Sequence, residues 1–121
     1  MDLGRLSPSA IAARVNSAAT TALDVAQATL ARLEAYDSVQ PRIWISRAKP
    51  EAILSAAKAV DARIAAGETL PLAGVPFAVK DNIDVAGLET TAGCPAYAYA
   101  PDANASVIDR LLAAGAICVG K

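Results

Sequence analysis

Two short apolar segments place the strongest constraint on how this chain can fold. The first covers residues 70–79, and its last four residues, which follow Val75, suit a buried strand. The second, residues 116–119, suits another strand. A strand, a helix and a strand over about 45 residues are typical of a right-handed crossover between parallel strands. We therefore predict a βαβ unit over residues 70–121, which places the chain in the α/β class.

A helix is predicted between the two strands. It should start within residues 101–104, with Asp102 or Asn104 as its N-cap, and it should end at Gly115. Its apolar face would consist of Val107, Ile108, Leu111 and Leu112. Because a parallel sheet needs cover on both faces and neighbours at its edges, we expect this unit to be an incomplete part of a larger domain.

Residues 1–67 are predicted to be mainly helical. Ser7 and Pro8 are typical of an N-cap and a first helical turn. Thr21 and Asp24 resemble a capping box, which would open a second helix ending near Asp37. That helix should pack through a stripe formed by Leu23, Ala26, Leu30 and Leu33.

A short strand and a third helix are predicted next. Residues 42–46 alternate in polarity as a strand does. Pro50 should open the third helix, and Gly67 should end it. The apolar face of this helix would consist of Ile53, Leu54, Ala57, Val60 and Ile64. Since these helices bring no cluster of polar residues together, we expect their role to be packing.

The absence of histidine excludes several common catalytic centres. None of the 121 residues is histidine, so neither a Ser-His nor a Cys-His pair can form, and a metal site would lack imidazole ligands. With 11 basic and 12 acidic side chains, the chain is not expected to bind nucleic acid or an anionic membrane. Acid–base chemistry near neutral pH would then need a carboxylate, a lysine or a cysteine.

The hydropathy pattern and the cysteine count indicate a cytoplasmic protein. No segment has the features of a membrane span or a signal peptide. Cys94 and Cys118 are too few for a disulfide framework or a metal cluster, and we expect both to be reduced thiols.

Lys80 is the residue that the pattern itself singles out, because it directly follows the first predicted strand. Ligands bind at the carboxyl ends of strands in open parallel sheets. A catalytic lysine must lose its proton, which burial favours and nearby carboxylates such as Asp81 and Asp84 oppose. The alternative interpretation is a solvated cation balanced by these two aspartates.

Two segments match the motifs of a known family. Residues 71–85 read Pro-Leu-Ala-Gly-Val-Pro-Phe-Ala-Val-Lys-Asp-Asn-Ile-Asp-Val, and residues 111–121 read Leu-Leu-Ala-Ala-Gly-Ala-Ile-Cys-Val-Gly-Lys. The first resembles the lysine segment of the amidase signature family, and the second resembles the segment that follows it there at matching spacing. The resemblance implies a mixed-sheet fold in which residues 1–121 are the N-terminal part of a single amidase domain. It also implies amide-bond hydrolysis by a Ser-Ser-Lys triad, with no cofactor and no metal ion.

The resemblance assigns a role to Lys80, which matches the triad lysine. This lysine is the base at the far end of a proton relay through a bridging serine to the nucleophilic serine. Both serines, the oxyanion-hole donors and the substrate-binding groups would follow Lys121, so the 121-residue chain alone is predicted to be inactive. Asp81 and Asn82 are expected to shape the turn after the strand. Lys121 is expected to be structural, and Cys94 to be inert.

One branch of the family fits best. Residues 87–99, Gly-Leu-Glu-Thr-Thr-Ala-Gly-Cys-Pro-Ala-Tyr-Ala-Tyr, are similar to a stretch of the allophanate hydrolases, and so are residues 44–46. This similarity implies a small amide substrate, allophanate, which is converted to ammonia and carbon dioxide in urea degradation.

Two alternatives to this assignment stay open. The first is another amidase, or the transamidating component of a tRNA-dependent amidotransferase. The second is a truncated, non-catalytic interaction module. Because an incomplete sheet exposes apolar surface, we expect the chain in isolation either to self-associate, for instance as a homodimer, or to form a loosely packed monomer.

Overall fold

The computed structural model describes residues 2–121, which form a mixed α/β arrangement of four helices and two strands. The helices are α1 (Pro8–Asn16), α2 (Ala22–Asp37), α3 (Pro50–Ala65) and α4 (Ser106–Ala113), and the strands are β1 (Pro76–Ala78) and β2 (Ile117–Gly120). Apart from the strand predicted over residues 42–46, this order is the predicted one: three helices followed by a strand, a helix and a strand.

The two strands pair in parallel, as predicted. Pro76 lies opposite Ile117, and after a shift in register Ala78 lies opposite Gly120. The backbone N–H of Val79 donates to the Gly120 carbonyl at 2.9 Å and extends this pairing. Since parallel strands run in the same direction, the residues that follow β1 and β2 meet at one edge of the sheet.

The predicted helix starts are present in the first half of the chain. The Ser7 side chain accepts a hydrogen bond from the backbone N–H of Ala10, and Pro8 is the first residue of α1. Thr21 and Asp24 form the complete capping box at the start of α2. Each cap satisfies backbone donors that a helix start leaves without partners, which explains why these starts could be predicted from sequence.

The buried face of α2 agrees only in part with the predicted stripe, in which Ala26 is buried and Leu30 and Leu33 pack against the core. Val25, Thr29 and two alanines are buried, whereas Leu23, Leu30 and Leu33 are only half-buried. The N-terminus of α2 is held against α3 by Asp61, whose carboxylate accepts from the backbone N–H groups of Ala22 and Leu23 at 2.7 and 3.1 Å. This contact joins positions 39 and 38 residues apart, so the periodicity alone did not reveal it.

The predicted strand over residues 42–46 is wrong. This segment contacts β2 and the residue after it through an isolated antiparallel bridge between Arg47 and Gly120 and through backbone hydrogen bonds to Lys121. Ser46 makes two of these, at 2.8 and 3.1 Å, and the N–H of Ile45 makes one, at 2.8 Å. The approach is very close, because a Cβ placed on Gly120 would lie 2.6 Å from the carbonyl oxygen of Ser46. The segment therefore covers the edge of β2 without forming a regular strand.

Helix α4 is present, but its predicted cap and most of its predicted core face are wrong. Ala105 is the N-cap and makes no side-chain cap hydrogen bond. Asn104 instead accepts from the backbone N–H of Ala86 at 2.7 Å and donates to Asp109 at 2.9 Å, so its side chain fixes the preceding loop. Of the predicted apolar face only Ile108 is buried, because α4 covers little more than one small cluster.

Two apolar clusters form the core. The larger joins α1, α2 and α3 to the sheet, with Val15, Val25 and Ile53 among its most buried members. The smaller consists of Val79, Val85 and Ile108, at the edge where the strands end. Within the described residues, no helix has the length and hydrophobicity needed to cross a membrane.

Candidate active site

Two lysines follow the two strands at the same edge of the sheet, and their surroundings differ. Lys80 is two residues beyond β1, and its side chain is exposed. Among residues 2–121 it has no side-chain hydrogen bond or ion pair. Lys121 directly follows β2, and its side chain is fully buried. The structure therefore leaves the Lys80 amine available and commits Lys121 to contacts within the chain.

The ammonium group of Lys121 has three acceptors. Its Nζ lies 3.1 Å from Oδ1 of Asp81, whose side chain is 3% exposed. It also donates to the backbone carbonyl of Glu89 at 3.0 Å and to the hydroxyl of Thr90 at 2.9 Å. The ammonium group thus makes two hydrogen bonds and one ion pair, all within the chain. Lys121 is thus a structural cation, as the sequence led us to expect.

Asp81 is held from two directions. Its Oδ2 accepts hydrogen bonds from the hydroxyl of Thr91 and, at 3.1 Å, from the Thr91 backbone N–H. Its backbone carbonyl accepts from the N–H of Ala92 at 2.9 Å. The hydrogen bonds from Thr91, together with Lys121, hold the pKa of the Asp81 carboxyl below its ordinary value, although burial opposes this shift. Asp81 therefore stays ionised and ties the turn after β1 to residues 91–92.

Asp84 performs a similar task in the same loop. Its Oδ1 accepts from the hydroxyl of Tyr99 at 2.6 Å and from the hydroxyl of Thr90 at 2.8 Å. The hydrogen bond from Tyr99 lowers the pKa of the Asp84 carboxyl, and the same bond raises the pKa of the Tyr99 hydroxyl. Thr90 and Tyr99 also pair through their backbones in an antiparallel bridge. The loop between β1 and α4 is thus pinned to the sheet edge.

These contacts decide between the two roles that the sequence allows for the aspartates. Neither carboxylate serves as a counter-charge for Lys80, because the two bind Lys121 and the side chains of three loop residues: Thr90, Thr91 and Tyr99. The expectation that Asp81 shapes the turn is confirmed, since its carboxylate and its carbonyl bind residues 91–92. The side chain of Asn82, for which the same was expected, is exposed and makes no hydrogen bond within residues 2–121. The buried partnership of Asp81 with Lys121 was not predicted.

The two cysteines are free thiols with different exposure. Cys94 is exposed, and Cys118 on β2 is half-buried, which raises the pKa of its thiol. In the part of the chain that the structure describes, no three side chains of the metal-ligating types come together. Of the two lysines at this edge, Lys80 is the one whose amine is exposed and has no side-chain partner within residues 2–121.

The chain is similar to one protein family and to several curated proteins. Residues 24–121 match the family described as Amidase. The urea amidolyase of Saccharomyces cerevisiae is 48% identical over 100 residues, which are 78% of this chain and 5% of that protein. The glutamyl-tRNA(Gln) amidotransferase of Salinispora arenicola has a subunit that is 43% identical over 123 residues, which are 99% of this chain and 24% of that protein.

Solved structures share the fold. The peptide amidase of Stenotrophomonas maltophilia matches with a TM-score of 0.84 and 33% identity, over 99% of this chain and 25% of that one. The allophanate hydrolase of Kluyveromyces lactis matches with a TM-score of 0.66 and 37% identity, over 84% of this chain and 17% of that one. The chain thus spans a quarter or less of each of these relatives.

Proposed function

We propose, because the chain belongs to the amidase family, that it forms part of an amide-bond hydrolase in which Lys80 is the catalytic base. The observation that carries the proposal is the contrast at the sheet edge. Lys121 is buried with three acceptors, whereas the side chain of Lys80 is exposed and has no partner within residues 2–121. A base must be able to reach another reactant, and of these two lysines only Lys80 can do so.

The proposed mechanism follows from the Ser-Ser-Lys resemblance. The neutral amine of Lys80 takes the proton of a bridging serine, and that serine takes the proton of the nucleophilic serine. The nucleophile then attacks the amide carbon and forms an acyl-enzyme, and the leaving amine departs with a proton returned through the relay. Water hydrolyses the acyl-enzyme by the same route. The 121 residues supply only the base of this relay.

Allophanate is the substrate that we propose. Residues 87–99 are similar to the corresponding stretch of allophanate hydrolases, and the matches to a urea amidolyase and to an allophanate hydrolase support the same choice. The test is a chimera in which residues 24–121 replace the matching segment of the Kluyveromyces lactis allophanate hydrolase. We expect the chimera to release ammonia from allophanate. A folded chimera without turnover, beside an active parent enzyme, would contradict the proposal.

The 121-residue chain by itself should not turn over. A base without its two serines cannot form an acyl-enzyme, so ammonia release from allophanate or simple amides should equal that of a Lys80→Ala control. Turnover above this control would contradict the prediction that the 121-residue chain alone is inactive.

A second candidate has support of its own. The match to the glutamyl-tRNA(Gln) amidotransferase extends over 99% of the chain, further than the match to the urea amidolyase. If this candidate is correct, residues 24–121 should support glutamine-dependent amidation when placed in the amidotransferase, and they should fail in the allophanate hydrolase chimera. The two chimeras, assayed side by side, distinguish the candidates.

A further inference from the structure

Asp81 and its buried contacts have no part in the proposed proton relay. Asp81 is the next residue after Lys80, its side chain is buried, and its carboxylate carries a full negative charge. A carboxylate beside an amine stabilises the protonated amine, which is the wrong form for a base. The chain nevertheless keeps this carboxylate next to the residue that we assign as the base.

Lys121 supplies the compensating charge. It comes from the end of the neighbouring strand, 40 positions further along the chain, and its Nζ lies 3.1 Å from the Asp81 carboxylate with no exposure to solvent. A buried pair of this kind has nearly zero net charge when viewed from a neighbouring group. Removing either partner leaves one uncompensated charge at low dielectric, where its influence on neighbours is largest.

The same contacts fix the backbone on both sides of Lys80. On its N-terminal side, Val79 donates to the Gly120 carbonyl at 2.9 Å. On its C-terminal side, Asp81 is tied to Lys121 and to Thr91. The Lys80 side chain therefore projects from a rigid support although it has no partner of its own among residues 2–121.

We propose that the buried Asp81–Lys121 pair is a positioning device for Lys80, which anchors its backbone and cancels the charge of the adjacent carboxylate. This inference rests on the proposed function, since a positioning role requires that Lys80 act as a base. Lys121 acts through Asp81 and touches no substrate in this account. It is therefore a positioning residue and not a catalytic one.

Other charged groups at this edge must be considered in any pH experiment. Asp84 is bound to Tyr99 and Thr90, and Arg47, beside Gly120, is paired with Asp37 at 3.0 Å. The ionisable groups on the packed elements are Asp81 and Asp84 on the turn, Cys118 and Lys121 on or beside β2, Glu89 and Tyr99 on the following loop, and Arg47 on the covering segment. Within residues 2–121, only the Asp81–Lys121 pair among them is a fully buried ion pair adjacent to Lys80.

The test measures Lys80 directly in the 121-residue chain and does not depend on turnover. Trace labelling with acetic anhydride as a function of pH, read by mass spectrometry, reports how readily each lysine amine loses its proton. We expect the pH midpoint for Lys80 to rise by about half a unit in Lys121→Met and to fall by a similar amount in Asp81→Asn. Lys58, exposed on α3, serves as the internal control and should not move.

The double variant Asp81→Asn/Lys121→Met and the single variant Lys121→Arg make the test decisive. Both keep the site free of net charge, so both should return the Lys80 midpoint to that of the wild type, and near-UV circular dichroism of Trp44 checks that they fold. If both single variants fail to fold, a double variant whose midpoint departs from the wild type contradicts the proposal. Folded single variants whose Lys80 midpoints equal that of the wild type would likewise show that the pair is only structural.

Failure of the proposed function gives a different pattern. In that case the labelling midpoints would shift as described, but removal of Lys80 from the allophanate hydrolase chimera would leave ammonia release unchanged. Opposite shifts together with a loss of turnover support both proposals.

Discussion

The ends of the two strands look alike in sequence and differ in structure. Each strand is a short apolar run, and each is followed within two residues by a lysine. Lys80 after β1 is exposed, while Lys121 after β2 is buried against Asp81, Glu89 and Thr90. A lysine is therefore not a candidate base merely because it follows a parallel strand. The position of acceptors contributed by distant parts of the chain makes one lysine structural and leaves the other available.

The covering segment around Ser46 contributes to this difference. Ser46 and Arg47 lie directly over Gly120, and the backbone of Ser46 makes hydrogen bonds with that of Lys121. The segment shields the end of β2 from solvent. At the end of β1 the described residues provide no such cover, and Ala78 is exposed there. Burial and partners thus occur together for the lysine that follows β2 and are both missing for the lysine that follows β1.

Lys121→Met should disturb the contrast between the two strand ends most strongly. Because this change leaves Asp81 buried and unpaired, we expect the free energy of unfolding to fall by about 3–5 kcal/mol, or the variant to be unfolded without denaturant. Lys80→Met should change it by less than about 0.5 kcal/mol, since the side chain is exposed. Urea denaturation of the 121-residue chain, followed by circular dichroism, measures both. Equal losses in the two variants would mean that the strand ends are energetically equivalent.

Gly120→Ala should have the next largest effect. The new Cβ would lie 2.6 Å from the Ser46 carbonyl oxygen, and the φ of Gly120 is +154°, so the covering segment would have to move. We expect a loss of about 2 kcal/mol or more. Gly87→Ala is the matched control: its φ is also positive, but the new Cβ meets nothing within 4 Å. There, strain alone should cost about 1 kcal/mol. A larger loss for Gly87→Ala would contradict the close packing at the end of β2.

Lowering the pH should reduce the free energy of unfolding through protonation of Asp81, the partner of Lys121 at the end of β2. This effect should be the smallest of the three. The pKa of the Asp81 carboxyl is lower in the folded chain than its ordinary value, so unfolding takes up a proton as the pH falls. The stabilisation is complete above about pH 4 and is lost as the pH drops from there through the folded-state value, with a slope of at most about 1.4 kcal/mol per pH unit. Stability measured from pH 6 to 3 should fall less steeply in Asp81→Asn. An identical slope would exclude Asp81 as the source.

Local features of the fold were predictable because their causes are local. Ser7, the Thr21–Asp24 box and Gly115 each act within one helix turn, and all three lie where the sequence placed them. The strand predicted over residues 42–46 failed for a different reason. Alternating polarity is not sufficient when the neighbouring strand ends in a glycine that the segment crosses closely.

The candidate site was predictable only in part, because some of its contacts join residues that are distant in the sequence. The position of Lys80 and the turn at Asp81 follow from neighbouring residues. The partner of Asp81 is 40 positions away, and nothing in the local pattern distinguishes Lys121 as its counter-ion. Asn104 shows the same limit, because its side chain fixes Ala86 instead of capping α4. The partners of Asp81 and Asn104 could therefore be identified only from the contacts between distant segments in the structure.

Turnover by Lys80 variants of the allophanate hydrolase chimera tests the central claim most directly. Lys80→Met and Lys80→Arg should each lower the rate of ammonia release by about 10²–10⁴-fold, because neither side chain can accept a proton from a serine near neutral pH. Lys58→Met, a matched change of an exposed lysine on α3, should leave the rate unchanged. If a folded Lys80→Met chimera releases ammonia as fast as the Lys58→Met chimera, Lys80 is not the base.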